Sequence, residues 1–366
     1  MMKSRIHIIF QSLLLCLFIS CNTVVKQQDQ SYVNLNGTIL QTDSLLLGHK
    51  VVAIVDNHLV VPTWKNDFLY DIYQINGDSL LLKNRIIPRG QGPDALTSSQ
   101  ESFEMSSGRL VIYDCNIGKG FQIDASTVDN LLASNHWKSL KDFNNKTYIS
   151  QMVYETDSTL LTTFMQAGIE SFLGRLNFNT GEYTVLYGLW PDDAYEGSSF
   201  VKQTVYANGT LLKCPDRNLY LLSSAVGQYA EIFSIEHDSI VPRVMLYGQH
   251  PRYQMSEDGW NVRNARDNMR GLDISVTSDF IYVMLDKGTI EEYVKNMDRM
   301  NSYNYTGEVF VYGWDGTLKN QLKLDHDILT LFVDKDNRFL YGKTLDDETG
   351  EEYMVRFKLP DTLTEH

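Results

Sequence analysis

The sequence predicts an all-β chain folded as a six-bladed β-propeller, and three observations carry that prediction. Short apolar or alternating runs recur from Tyr32 to the C-terminus, while long amphipathic helical stretches are scarce. Two segments echo each other directly: Tyr183-Thr184-Val185-Leu186-Tyr187-Gly188-Leu189-Trp190-Pro191 and Arg243-Val244-Met245-Leu246-Tyr247-Gly248-Gln249-His250-Pro251. Turn signals ahead of such strands fall at Asn76-Gly77, near Asp124, at Thr180-Gly181, at His237-Asp238 and at Asp315-Gly316. Their spacing is about 48 to 57 residues until a last interval about 20 longer, close to propeller-repeat periods. Aromatic richness (Tyr 21, Phe 16, only Pro 8) also favours strands.

The N-terminus stands apart. Lys3 and Arg5 precede the mostly apolar stretch from Ile6 to Ile19, and Ser20-Cys21 follows, which reads as a removable leader over residues 1–20. His7, Gln11 and Ser12 interrupt the apolar run and argue against a membrane span. Leu17-Phe18-Ile19-Ser20-Cys21 resembles the lipobox of bacterial lipoproteins, with Phe18 where Leu or Val is usual, and the resemblance implies lipid attachment at Cys21. The plain alternative is a secretion signal with an incidental cysteine. Residues 21–31 are polar and read as a lipidated tether, leaving 32–366 for the propeller.

Six units follow, at about 50–96, 101–142, 147–193, 200–253, 262–327 and 328–360, each with three or four strand signals. Short strands of this kind would also suit a pair of two-sheet sandwiches, but a sandwich gives no reason for the recurring LYG…P ends. Gly288 to Asn304 is charged and helix-compatible, and accounts for the long interval as an excursion from the fifth unit. The sixth unit is one strand short, and Tyr32 to Leu40 is an orphan strand at the other terminus; pairing the two would close the ring.

The stretch Pro88-Arg89-Gly90-Gln91-Gly92-Pro93-Asp94-Ala95 matches the glycine fingerprint of dinucleotide sites only superficially. That chemistry needs a helix after the glycines and a βαβ unit around them, whereas Thr97-Ser98-Ser99-Gln100 and more strands follow. A crossing between blades explains it better: the glycines supply unusual backbone angles and the prolines stiffen the passage.

At these residues the chain resembles the six-bladed, TolB-like propeller lipoproteins common in Bacteroides and its relatives. Arg89-Gly90-Gln91-Gly92-Pro93 matches their basic G-x-G-P loop after the first blade, although Asp94-Ala95 stands where Gly-Glu is usual. Gly271 to Leu285 (GLDISVTSDFIYVML), Glu308 to Gly316 (EVFVYGWDG), and Leu324-Asp325 with Ile328 to Tyr341 extend the likeness over nearly the whole mature chain. The resemblance implies the fold and carries over no catalytic residue.

Other constellations have plainer readings. Trp314-Asp315 enters a turn and lacks the Gly-His of WD repeats. Asp334-Lys335-Asp336-Asn337 lacks the Gly and Glu of a calcium loop, and Leu324-Asp325-His326-Asp327 reads as a solvated inter-blade turn. Histidines 49, 58, 136, 237, 250, 326 and 366 fall into no H-E-x-x-H or H-x-H spacing. With no C-x-x-C pair, Cys115 and Cys214 are expected as separate thiols in the second and fourth units, too far apart for a bridge. No metal, cofactor or catalytic residue is therefore expected. Without the leader the balance is 30 basic to 46 acidic residues, a net −16, which disfavours nucleic acid.

One cluster suits a ligand. Asn261 to Arg270 carries Arg263, Arg266 and Arg270 ahead of an inner strand, and Arg89 begins a similar crossing. Guanidinium forks at the channel mouth would take a carboxylate or sulfate; the alternative is a solvated loop offsetting nearby acids. The expected function is a non-enzymatic binding or scaffold lipoprotein of the cell envelope, holding a protein or carbohydrate-like, anionic ligand and touching the membrane through its lipid alone. The second reading is a propeller enzyme of lyase or lactonase type acting on a polysaccharide or lactone. The lipid reading predicts that Cys21→Ala releases the protein from the membrane fraction; a variant that still sediments with membranes and is processed normally would refute it.

Overall fold

Each stretch of about four strands pairs antiparallel with itself, and six such sheets succeed one another along the chain. The computed structural model describes residues 32–42, 50–63, 66–140, 148–188, 191, 193, 198–257, 262–286, 288–296, 306–345 and 351–364. The leader, Cys21 and the tether lie outside the described residues. Blade 1 comprises Ala53–Val55, His58–Pro62, Phe68–Asn76 and Ser79–Pro88; blade 2 comprises Gln100–Glu104, Arg109–Asp114, Lys119–Asp124 and Lys138–Ser139. Blade 3 runs Tyr148–Tyr154, Thr159–Met165, Leu173–Asn177 and Glu182–Leu186, and blade 4 runs Thr210–Lys213, Tyr220–Ser223, Gln228–Glu236 and Ser239–Gln249. Blade 5 holds Leu272–Val276, Phe280–Leu285, Thr306–Gly313 and Leu318–Ile328. Blade 6 takes Leu331–Val333, Phe339–Leu345 and Glu352–Lys358 from the C-terminus and Gly37–Thr42 from the N-terminus.

Burial explains the sequence pattern. The second strand of each blade is packed on both faces, so Arg109–Asp114, Tyr220–Ser223 and Phe280–Leu285 are nearly continuous apolar runs. The fourth strands face solvent and alternate, as in Glu182–Leu186 and Ser239–Gln249. These are the two segments whose sequences echo each other. Apolar side chains gather in six clusters, one at each junction between neighbouring blades, including the junction of blade 6 with blade 1 (Leu40, Val51, Tyr73, Tyr341, Met354). The core of a propeller is thus divided among its interfaces.

The ring closes as expected, with a refinement. Gly37–Thr42 pairs antiparallel with Glu352–Lys358 in the register Gly37↔Phe357 to Leu40↔Met354. Its end also meets the outer strand of blade 1, with Gln41↔Ser79 and Thr42↔Leu80 in parallel. The orphan strand is not one element, however. Val33–Leu35 lies parallel to Leu318–Ile328 as a fifth strand of blade 5, and the chain then passes through Asn36 to blade 6. Gly37 makes the transfer possible: a β-carbon there would lie 2.8 Å from the Phe357 ring, and its N–H donates to Asp325 Oδ1 at 2.8 Å. Leu324-Asp325-His326-Asp327 therefore serves closure.

One other expectation is corrected. The turn near Asp124 is replaced by a short helix, Val128–Leu132, whose Thr127 cap accepts from Asn130 N and whose Leu131 is buried. Trp137 donates to Leu131 O at 3.2 Å and its ring lies 5.8 Å from Phe121, which leaves blade 2 a fourth strand of two residues. A hairpin, Tyr253–Met255 with Val262–Asn264, also stands between blades 4 and 5. The charged insertion is helical over Ile290–Asn296, where Thr289 and Glu292 form a reciprocal capping box; residues 297–305 lie outside the described residues. Cys115 and Cys214 are free thiols.

Closure predicts that Gly37→Val, which drives a branched side chain into Phe357 and Val355, lowers stability by about 1–3 kcal/mol in chemical denaturation. Removing residues up to 45 should cost more, because it uncovers the edge of Glu352–Lys358. An N-terminal truncation as stable as the full chain would contradict closure.

Candidate functional site

All six inner strands begin at one end of the ring and run the same way around a central channel of about 330 Å³. At the end where they begin, here the entry end, Lys50, Glu101 and Asp273 line the channel, while Glu104 and Lys213 line it where inner strands finish. Lys50 lies just before the inner strand of blade 1, Glu101 is the second residue of that of blade 2, and Asp273 is the second residue of that of blade 5. Lys50 Nζ is 2.9 Å from Glu101 Oε1, and the buried Tyr70 hydroxyl donates to Glu101 Oε2 at 3.1 Å. The Lys50 side chain is 57% accessible although residues of all six blades surround the channel it lines. Glu101, and more weakly Asp273, hold its ammonium above the ordinary lysine range despite desolvation.

Asp273 is unusual. Burial pushes its carboxyl up to about 6, against the opposing pull of the Leu331 N–H, which it accepts at 2.7 Å, and of Lys50. Two residues on, Ser275 Oγ accepts the Val333 N–H at 3.0 Å. These two contacts lace the inner strand of blade 5 to that of blade 6 where backbone pairing between blades is absent. Alternation puts both side chains on one face of the strand.

A hollow of about 560 Å³ adjoins the entry end between blades 1, 2 and 3 and shares Lys50 and Glu101 with the channel. Arg89 at the start of the glycine-rich crossing and Thr97 to Gln100 after it form part of its wall. Gly90 adopts φ +144°, and Lys119 Nζ of blade 2 donates to Gly92 O at 2.7 Å, to Ala95 O at 3.1 Å and to Pro93 O. Asp114, fully buried, accepts from Thr97 and Ser98, through backbone and hydroxyl of each, and from Asn116 N. Burial raises its pKa, but these donors outweigh burial and hold it below the usual carboxylate range. The motif is a clamp between blades 1 and 2.

The structure does not bring the four arginines together. Arg89 borders the entry hollow and donates to Asn66 O at 3.1 Å and to Thr63 O. Arg270 borders a smaller hollow that shares Asp273 with the channel; it lies 3.1 Å from Asp286 and stacks 4.2 Å above the Tyr293 ring. Arg263 and Arg266 are exposed around a third hollow beside the hairpin, with Arg252, which pairs with Asp267. Lys50, Glu101 and Asp273 were not singled out from the sequence. They are 51 and 172 residues apart and carry no motif; only the position of each at the start of a predicted inner strand could have pointed to them.

Other polar clusters serve packing. Asp193, which follows the last strand of blade 3, accepts from Tyr206 at 2.9 Å and Tyr253 at 2.8 Å and pairs with Lys202 at 3.0 Å, joining the helix Ser199–Tyr206 to the hairpin. Trp314 donates to Thr277 O at 3.0 Å, and the Asp334–Asn337 segment is a turn with Asn337 at φ +54°. Among the described residues no group of three or more His, Cys, Asp or Glu is placed to hold a metal. No described helix is long and apolar enough to cross a membrane.

A family model described as TolB-like 6-blade propeller-like matches residues 36–336. A crystal structure of a DUF4221-family member from Bacteroides vulgatus is similar at TM-score 0.53 and 11% identity, covering 90% of this chain and 98% of that one. A candidate exported protein of Bacteroides fragilis gives the same TM-score, 0.53, and identity, 11%, over 89% of this chain and 95% of its own. A protein of unknown function from Bacteroides thetaiotaomicron follows at TM-score 0.50 and 10% identity, over 89% and 76%. At such identities the likeness speaks for the fold. No curated protein matches the chain.

The raised carboxyl makes a pH prediction. The folded state holds the Asp273 proton more tightly than an unfolded aspartate at its ordinary 3.8. This group's stabilisation is therefore full below about 3.8 and lost as pH rises through about 6. Asp273→Asn, whose amide oxygen still accepts the Leu331 N–H, should favour stability by about 1–2 kcal/mol more at pH 8 than at pH 4. Equal effects at both pH values in urea titrations would show that Asp273 titrates normally.

Proposed function

The chain belongs to the TolB-like six-blade propeller family, and on that premise we propose that it is a binding or scaffold module of the bacterial cell envelope, lipid-anchored through Cys21. It holds a protein or a carbohydrate-like ligand at the entry end of its channel. One observation carries this reading: polar groups from different blades converge on a single opening that continues into a side hollow. Lys50, Glu101, Gln151, Asn208 and Asp273 stand around that opening, on strand ends locked by inter-blade contacts. Such a mouth offers many polar contacts at fixed positions, which suits recognition. The leader and lipobox support an envelope location, and the similarity to a candidate exported protein agrees with export.

Asp273 favours a second reading. A carboxyl with a pKa of about 6 facing a channel beside a lysine is poised for proton transfer near neutrality, as a lyase or lactonase requires. Envelope extracts passed over immobilised protein should yield a partner retained by the native chain and lost in Lys50→Ala with Glu101→Ala. A parallel panel of polysaccharides and lactones should show no turnover. Turnover abolished by Asp273→Asn would establish the enzyme instead, and a partner retained equally by the mouth variant would displace the site.

A further inference from the structure

Among the described residues, every arginine side chain but two lies against a carboxylate or, for Arg89, against two backbone carbonyls. The exceptions are Arg263 and Arg266. Both are exposed, and both border the hollow of about 330 Å³ beside the hairpin, with Arg252 as a third. None of the residues lining that hollow is acidic. Exposed Asp267 engages Arg252 alone, and Glu291, whose N–H donates to Arg266 O at 2.7 Å, is paired with Lys295 at 2.7 Å. On a chain with 46 acidic and 32 basic residues, two uncompensated guanidiniums around one hollow point to an anion from outside.

The hollow is held in shape. The buried Asn268 accepts the Arg252 N–H at 2.9 Å and donates to Arg252 O at 2.7 Å, and the Ala265 N–H donates to the same carbonyl at 2.9 Å. These bonds lock the base of the hairpin, so little order is lost when a ligand arrives. Gln254 and Arg263 are cross-strand partners, which puts their side chains on one face. A guanidinium offers its donors in a planar fork that a carboxylate meets with both oxygens. Gln254 adds an exposed amide, able to give to a hydroxyl and take from one.

The carrier of the carboxylate follows from the rest of the lining. Strands of three residues give a peptide no edge on which to extend a sheet, and with only Ala265 and the buried Tyr253 as apolar lining there is no groove for a helix. A small unit that carries both an anion and hydroxyls fits these groups. We propose that the hollow at the base of this hairpin binds one uronic acid unit of an acidic glycan, with Arg263 and Arg266 on its carboxylate and Gln254 on a ring hydroxyl. The site shares no lining residue with the channel, so it lies beyond the mouth proposed above and stands independently of it.

Titration calorimetry tests it on the mature chain carrying Cys21→Ala, with uronate oligosaccharides, neutral oligosaccharides of equal length, oligoglutamate and phosphatidylglycerol vesicles. The uronates should bind, more weakly as salt rises, and the neutral series should not. Arg263→Ala and Arg266→Ala should each weaken uronate binding about fivefold or more, at an unchanged melting temperature because both side chains are exposed. Lysine at either position should recover only part of the loss, since an ammonium lacks the fork. Arg243→Ala, which removes the same charge from the outer strand of blade 4, should change affinity by less than about twofold. Neutral oligosaccharides bound as tightly, full recovery by lysine, uronate binding indifferent to both alanine variants, or no uronate binding would each overturn the site. Oligoglutamate or vesicles bound in preference through the same two arginines would overturn it as well. If uronates fail but an envelope protein is still retained through Lys50 and Glu101, this site falls and the mouth stands. If uronates bind through the arginines and no partner depends on Lys50 and Glu101, the mouth falls and this site stands.

Discussion

A ring of sheets must be closed by a pairing between chain ends, and everything at the entry end depends on that pairing. Gly37–Thr42 completes blade 6 against Glu352–Lys358 and then leads to Lys50, the first charged group of the channel. The passage requires Gly37, because the Phe357 ring occupies the place of any side chain, and Asp325 fixes its N–H. Without closure, the blade 6–blade 1 cluster would lose Leu40 and face water. A propeller distributes its core among interfaces, so an opened interface exposes a large apolar surface at once.

Polar contacts between blades matter for the same reason. Inner strands of adjacent blades do not pair as a sheet, so side chains do the joining: Asp273 and Ser275 take N–H groups from blade 6, Lys119 takes carbonyls from the blade 1 crossing, and Asp114 gathers the loop that follows. Part of the wall of the entry hollow is the Thr97-Ser98 loop that Asp114 holds. Charges beside this hollow are engaged in the same way, Lys50 by Glu101 and Arg89 by the Asn66 and Thr63 carbonyls.

Much of the fold was legible in the residues. Runs such as Leu110 to Tyr113 and Phe280 to Leu285 marked second strands because burial on both faces demands continuous apolar sequence. His237 and Asp238, both at positive φ, form the hairpin turn that their position before an outer strand suggested. Thr127 was missed as a helix cap, since one threonine before Val128 weighs little against a run of strands. Tyr32 to Leu40 read as one strand, because nothing in it but Gly37 marks a change of partner.

Local patterning by itself determined the number of blades, the turns between strands and the need for closure, since these follow from burial period and turn chemistry over a few residues at a time. The arginines illustrate the limit. Proximity in sequence grouped Arg263, Arg266 and Arg270, yet the chain turns between them and sends only Arg270 towards Asp273. Lys50, Glu101 and Asp273 became a site only through tertiary structure, which alone sets inner strands from different blades side by side. Whether a charge is free or already matched is likewise a property of three-dimensional neighbours, and no spacing along the chain encodes it.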